Sequence, residues 1–285
     1  MIKVIFCTIA QPEQLAPALI LAKSIKKHHA NAIMALCLTS KNVPDAAKNS
    51  PYIDHIISEK DLGKGFYKKL KKKFSAADHS RALKAPFLNY LFNSFPNEDI
   101  YIYLDCFTKV FGTFNELFTI LDEHCIIYSP YCLEPPSEDH VLNEFDLLKN
   151  GNVNGGFLAF RRSEESTKFI KRFLHLIKND VKQNERKSIK GLFIDEKWLC
   201  LMIGLFDIYF FKDPSYNLAV WNLHEKQRKI EKTDEPGWRI NGQRIKSVCF
   251  ADVQGSLDWS HSEKAVNLIQ ERYKKQLKSV KDKTL

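Results

Sequence analysis

The run Ile100–Leu104, IYIYL, followed at once by Asp105, constrains this chain more than any other segment. Aromatic and β-branched residues on both faces of so short a run predict a buried strand. The strand delivers one carboxylate at its C-terminal end, the end where ligands bind in open α/β sheets. A charge in that position is costly unless a metal, a cation or water receives it. Asp105 is therefore either a functional group or a surface turn residue.

The rest of the chain supplies the sheet such a strand would need. Ile2–Thr8 reads as a first strand. Leu15–His29 carries apolar residues at helical spacing, and Ala32–Leu38 and Tyr52–Ile57 read as two further strands. This β-α-β-β opening predicts a parallel sheet covered by helices. Ser75–Phe92 is predicted helical, with Pro86 breaking it or marking a new first turn. His124–Ser129 and Val153–Phe160 are predicted strands, the second entered through Gly155 and Gly156. Ser163 with Glu164 and Glu165 has the signature of a helix N-cap for Ser163–Asn179. Asp195–Phe206 reads as a helix, Ile208–Phe211 and Val248–Ala251 as short strands, and 226–246 as a hairpin-like region. Residues 262–278 form a basic amphipathic helix, suited either to packing on the domain or to a membrane surface. With no repeat, low-complexity block or long linker, one α/β domain over 1–260 is expected, with 261–285 packed on it or appended.

Composition narrows the setting. Of 285 residues, 44% are apolar and 27% charged, as in soluble globular proteins. The N-terminal apolar run is too short for a signal peptide, and Trp198–Phe211 is too short to cross a bilayer. The seven cysteines are scattered without a CxxC, which predicts reduced thiols and a cytoplasmic protein, with the inner face of the membrane also open to it. A net charge of +9 suits either an anionic ligand or a lysine-rich solvated surface. The densest cluster, KKLKKK at 68–73, is expected on a mobile loop. No recognisable DNA or RNA motif accompanies the charge, so nucleic acid is not an expected partner.

Five segments in order carry a resemblance: CTIA at 7–10, ALKAP at 82–86, YLDCF at 103–107, VNGGFLAFRRS at 153–163, and the long stretch from FIDEKWLCLMIGLF to DPSYNLAVWNLHEK within 193–226. Together they make the chain resemble bacterial glycosyltransferases of the GT-A fold, close to the family-eight galactosyltransferase-like enzymes. The resemblance runs from Val4 to about Asp258. It implies a Rossmann-like, mixed and mostly parallel sheet, a nucleoside-diphosphate sugar as donor, and a glycan, lipid-linked or protein hydroxyl as acceptor.

Residue by residue, it implies that Thr8, Ile9 and Ala10 floor the nucleotide pocket and that Lys84 meets the diphosphate or a nearby carboxylate. Asp105 matches the first aspartate of the family's DxD motif, whose hard oxygens hold Mn or Mg against the phosphates. Phe107 stands where the second aspartate would be, and a phenyl ring binds no divalent ion. The family's HFSG-like segment is replaced by ADVQG, so Asp252 stands for the histidine and Gly255 for the glycine. A metal held by Asp105 and Asp252 is one expectation; a metal-free site relying on Lys84 and other cations is another.

Asn154, Gly155 and Gly156 match the segment lining the sugar subsite, where glycines let main chain approach a hydroxylated ring. Asp195 and Glu196 match a DQ pair, so Asp195 is the expected group at the reacting carbon, or else an N-cap. Tyr216, Trp221 and Asn217 are candidates for sugar or acceptor contact, and His224 is expected to be structural. The function implied is hexose transfer, with retention of configuration favoured by the resemblance. The alternative is an inactive relative that binds a nucleotide, glycan or protein partner.

Overall fold

The computed structural model describes residues 2–40, 42–63, 70, 75–136, 142–183, 195–232, 237–251 and 264–284. Strands β1 (Val4–Ala10), β2 (Ile33–Leu38), β3 (His55–Ser58), β4 (Ile100–Leu104), β6 (Ile126–Pro130), β7 (Val153–Arg161) and β8 (Tyr209–Phe210) form one sheet. Its order is β3-β2-β1-β4-β7-β6-β8. The β3, β2, β1 and β4 strands are parallel to their neighbours, β7 runs antiparallel to both β4 and β6, and β8 rejoins β6 in parallel. β5 (Thr108–Val110) pairs with β12 (Ser247–Cys249), and β9 (Ile230–Lys232), β10 (Trp238–Ile240) and β11 (Gln243–Arg244) make a small antiparallel sheet.

Both faces of the central sheet are covered, which is why its strands read as unbroken apolar runs. Ile5, Cys7, Tyr101, Tyr103 and Leu158 pack on one face beneath helices Lys84–Ser94 and Glu164–Gln183. Phe6, Ile100, Ile102, Leu104 and Ala159 pack on the other, under helices Leu15–His28 and Asn115–Glu123. The period-two alternation of β4 thus feeds two cores at once.

Most elements lie where the pattern predicts, shifted by one to three residues at their ends. The Ser75–Phe92 segment is two helices, Ala76–Ala82 and Lys84–Ser94, that meet at Leu83. Pro86 stands in the first turn of the second, where its missing N–H is tolerated. Ser163 caps its helix as expected, with Oγ accepting from the Ser166 amide at 3.0 Å. The 226–246 region is the three-stranded β9–β11 sheet. Most of the 68–73 lysine cluster lies outside the described residues.

The C-terminal helix, Lys264–Thr284, buries Val266, Ile269, Tyr273 and Leu277 against Ala16, Ile20 and Ile240. Tyr273 stacks on Phe250 with ring centroids 3.9 Å apart. Its apolar stripe is therefore spent on the domain. No helix among the described residues is long and apolar enough to cross a membrane. All seven cysteines are free thiols.

Candidate active site

The sheet order reverses between β1 and β4, since β1 carries β2 on one side and β4 on the other. At such a switch point the connections leave in opposite directions and open a crevice. A cavity of about 550 Å3 opens there. Its wall includes Ile9 near the end of β1, Asp105 and Cys106 after β4, and Asn154 and Gly156 from β7. Antiparallel pairing explains how β7 contributes: Leu104 faces Phe157, so the beginning of β7 lies beside the end of β4. The Asp105 amide accordingly donates to the Gly156 carbonyl at 2.8 Å. β6, antiparallel to β7 with Pro130 opposite Val153, brings Tyr131 to the same edge.

Asp105 closes a tight turn. Its Oδ1 accepts from the Phe107 amide at 2.9 Å, and its carbonyl accepts from the Thr108 amide at 2.9 Å. Burial raises its pKa above the usual carboxylate range, against the pull of that amide, Lys84 and Arg81. The Phe107 ring packs into apolar clusters. Among the described residues no set of three ligating side chains gathers at Asp105. Asp252 and Gly255 lie outside the described residues. Among the described residues the cavity wall offers two carboxyls, Asp105 and Glu196, and two cations, Lys84 and Arg81. The group of Cys132, His224 and Glu225 does bring its ligating atoms within 4.8 Å of one another. Its carboxylate is already engaged by Arg228 Nε at 2.6 Å and by the Leu133 amide.

Lys84 stands at the start of its helix and is almost fully buried. It donates to Asp195 Oδ2 in a buried ion pair, and its ammonium lies 4.9 Å from the Tyr103 ring centroid. Burial opposes the Asp195 charge, but Lys84, a hydrogen bond from Glu196 and Arg81 outweigh it and hold the pKa below the usual range. Glu196 goes the other way. Burial, the Asp195 charge and the hydrogen bond to Asp195 push its pKa up to about 8. Glu196 therefore holds its proton to higher pH than an ordinary glutamate, and Tyr131 Oη donates to its Oε1 at 3.2 Å.

The expected residues divide into wall and backing. Ile9, Lys84, Asp105, Asn154, Gly156 and Glu196 line the cavity. Thr8, Ala10, Gly155 and Asp195 are not in its wall; Thr8, Ala10 and Asp195 are fully buried behind it. Asp195 is paired with Lys84 and interacts with its neighbour Glu196, which does line the cavity. Asp195 is the first residue of helix Asp195–Ile203, and its side chain serves the ion pair. Gly155 earns its place sterically: a Cβ there would stand 2.8 Å from Lys84 Nζ and 3.1 Å from Asp195 Oδ2.

Asn154 is held at both ends, its Nδ2 donating to Asn217 Oδ1 at 3.0 Å and its Oδ1 accepting from the Gly156 amide at 2.8 Å. Asn217 has φ +52° and also donates to Ser129 Oγ at 3.1 Å, so it braces the site from behind. Tyr216 is a core residue hydrogen-bonded to Glu116 at 2.8 Å, which removes it as a stacking platform. Trp221 does line the cavity, edge-on to Tyr131, and its indole N–H has no partner among the described residues. His224 Nε2 lies 3.4 Å from the Glu134 carbonyl, in a structural setting.

Among the wall residues not singled out from the sequence are Arg81, Tyr103 and Tyr131. Arg81 had a signal, since it precedes Lys84 by three residues in a predicted helix and three-residue spacing shares a face. The tyrosines had none, because strand aromatics are normally core.

No protein-family model matches the sequence, and no curated protein matches it. Solved structures do. The galactosyltransferase LgtC in complex with donor and acceptor sugar analogs is 13% identical, with a TM-score of 0.54 over 98% of this chain and 96% of that one. An active-site glutamine-to-glutamate variant of LgtC is 14% identical, with a TM-score of 0.55 over the same shares. The glycosyltransferase GlyE of Streptococcus pneumoniae TIGR4 is 15% identical, with a TM-score of 0.51 over 100% of this chain. The chain spans 64% of that GlyE structure and 46% of its apo form. At these identities the likeness is one of fold: the chain is a single α/β domain of the GT-A, Rossmann-like type, with a mixed and mostly parallel sheet flanked by helices.

Proposed function

We propose that this protein is a glycosyltransferase that moves a hexose from a nucleoside-diphosphate sugar to a hydroxyl acceptor on a glycan, lipid or protein. The observation that carries the reading is the single cavity at the β1–β4 switch point, where Asp105, Lys84, Arg81, Asn154 and Glu196 share one wall. The fold it shares with LgtC and GlyE supports the same reading.

In the reaction, the bond between the anomeric carbon and the diphosphate oxygen breaks, and the acceptor oxygen bonds to that carbon while its proton leaves. The leaving diphosphate gains charge, and cations placed to receive that charge lower the barrier. Lys84 and Arg81, the two cations of the wall, fill this role in the proposal. Glu196, in the wall, offers the donor sugar the lone pair of Oε1 that the Tyr131 hydroxyl leaves free. Asp195, behind the wall, is a positioning residue that fixes the Glu196 proton and the Lys84 ammonium. Asn154, braced by Asn217 and Gly156, has one N–H and one lone pair left for a sugar hydroxyl. Retention of anomeric configuration belongs to the same proposal.

Purified protein given a panel of uridine, guanosine, thymidine and cytidine sugar nucleotides should release the nucleotide slowly from one class, and Glu196→Ala should lower that rate at least tenfold. Saturable nucleotide binding with no turnover on any donor would instead favour the binder without catalysis, for which Phe107 at the second DxD position speaks. Absence of both binding and turnover would end the nucleotide-sugar reading.

A further inference from the structure

A second basin, of about 800 Å3, shares no lining residue with the first. It lies where the last turns of helix Leu15–His28 meet β5, the β10–β11 hairpin and the C-terminal helix. Lys23, Lys26, Lys27, Lys109 and Arg244 line it, and among the described residues no carboxylate does. Trp238 supplies an aromatic wall, with the Arg272 guanidinium 5.7 Å from its ring centroid.

Part of this charge has an ordinary explanation. Lys26, Lys27 and His28 occupy the last turn of a helix, where cations complement the dipole. Lys26 is also paired with Asp54 at 2.6 Å on the rim. Lys109 has no such account. It projects from β5, donates to the neutral Gln276 Oε1 at 2.7 Å and lies 5.3 Å from the Phe111 ring centroid. Burial, then the charges of Lys27, Arg272 and Lys23, press its pKa below the usual lysine range. A partly buried ammonium surrounded by like charge is unfavourable by itself and becomes favourable when an anion arrives.

We propose that this basin is a second binding site, for a phosphate-bearing ligand of at least two negative charges, held by Lys27, Lys109 and Arg244 beside Trp238. The inference does not depend on the function proposed for the first cavity, since no lining residue is shared. Two sources of the same chemistry exist, a soluble oligophosphate compound and a phospholipid headgroup.

Calorimetric titration with tripolyphosphate and flotation with phosphatidic acid vesicles separate them. Each is run on the wild type, Lys109→Met and Lys27→Glu, none of which alters the first cavity. Tripolyphosphate binding that falls with salt and weakens at least tenfold in both variants supports a soluble ligand. Vesicle binding without tripolyphosphate binding, lost in the same variants, supports a lipid headgroup. Binding of neither probe, or binding unchanged in Lys109→Met, overturns the proposal. Thermal unfolding in phosphate-free buffer adds a control on the premise. Lys109→Met should melt at or above the wild-type temperature because it removes a strained charge, and a clearly lower midpoint overturns the argument.

Discussion

Lys84 and Asp195 form a buried ion pair across 111 residues of sequence, at the edge where β4 and β7 meet. One helix start is thereby tied to another, directly behind the cavity wall. Removing one partner strands the other charge, which in buried pairs costs about 3–5 kcal/mol. Lys84→Met should lower stability by that order, and the Lys84→Met, Asp195→Asn double variant should regain most of it. Urea unfolding of both measures this directly; a double variant as unstable as the single one would mean that the pair is not what Lys84 supports.

Glu196 predicts the sign of a pH dependence. Its pKa is raised in the folded state to about 8, by burial first and by Asp195 second, whereas in the unfolded chain it ionises near the ordinary glutamate value. Between those two values the folded state binds more protons, so stability falls as pH rises and the penalty is complete above pH about 8. Glu196→Gln removes the titration and should be the more stable protein at pH 9, while matching the wild type near pH 4. Equal pH slopes in the two proteins, followed by thermal unfolding, would place Glu196 in the ionised state at neutral pH.

Gly155→Ala probes the close approach of β7 to the ion pair. The added Cβ would fall 2.8 Å from an ammonium that is itself pinned by Asp195, so the amine cannot simply swing away. Overpacking of this kind costs about 1–3 kcal/mol. The Lys84 side chain should also lose its contact, visible as a raised Asp195 pKa by NMR titration.

Asn217 combines a left-handed backbone with three side-chain and backbone hydrogen bonds to Asn154, Ser129 and Ser247. Asn217→Ala keeps the strain and loses the side-chain bonds, at about 2–3 kcal/mol. Asn217→Gly should be less damaging because the strain disappears. The reverse order of urea midpoints would show that φ is not what selects asparagine there.

Turnover, on the reading proposed above, relies on Lys84 and Arg81 rather than a divalent ion. Nucleotide release should therefore continue in excess EDTA at more than half the untreated rate, and Arg81→Ala should reduce it at least tenfold. A reaction abolished by EDTA and restored by Mn would reinstate the metal and point to the segment holding Asp252.

Several elements were legible because their signals are local. The aromatic and β-branched run before Asp105 could bury both faces only as a central strand, and it does. The N-cap at Ser163 rests on one hydroxyl and a nearby amide, and it too stands. The misreadings are of another kind. Tyr216 looks like a sugar platform in sequence, yet it sits where four aromatic rings close one core. That Asp195 pairs with Lys84 while its neighbour Glu196 lines the cavity could not be read from their adjacency in sequence.

Local chemistry in the sequence by itself determined the alternation of strands and helices and the position of Asp105 at a strand end, with Phe107 two residues on. Tertiary structure alone decided which side chains share a wall, which carboxyl has its pKa raised, and that cations from three elements line a second basin. The physical reason is that propensity and periodicity act over a few residues. Burial and electrostatic coupling depend on strand order and register, which join positions more than a hundred residues apart.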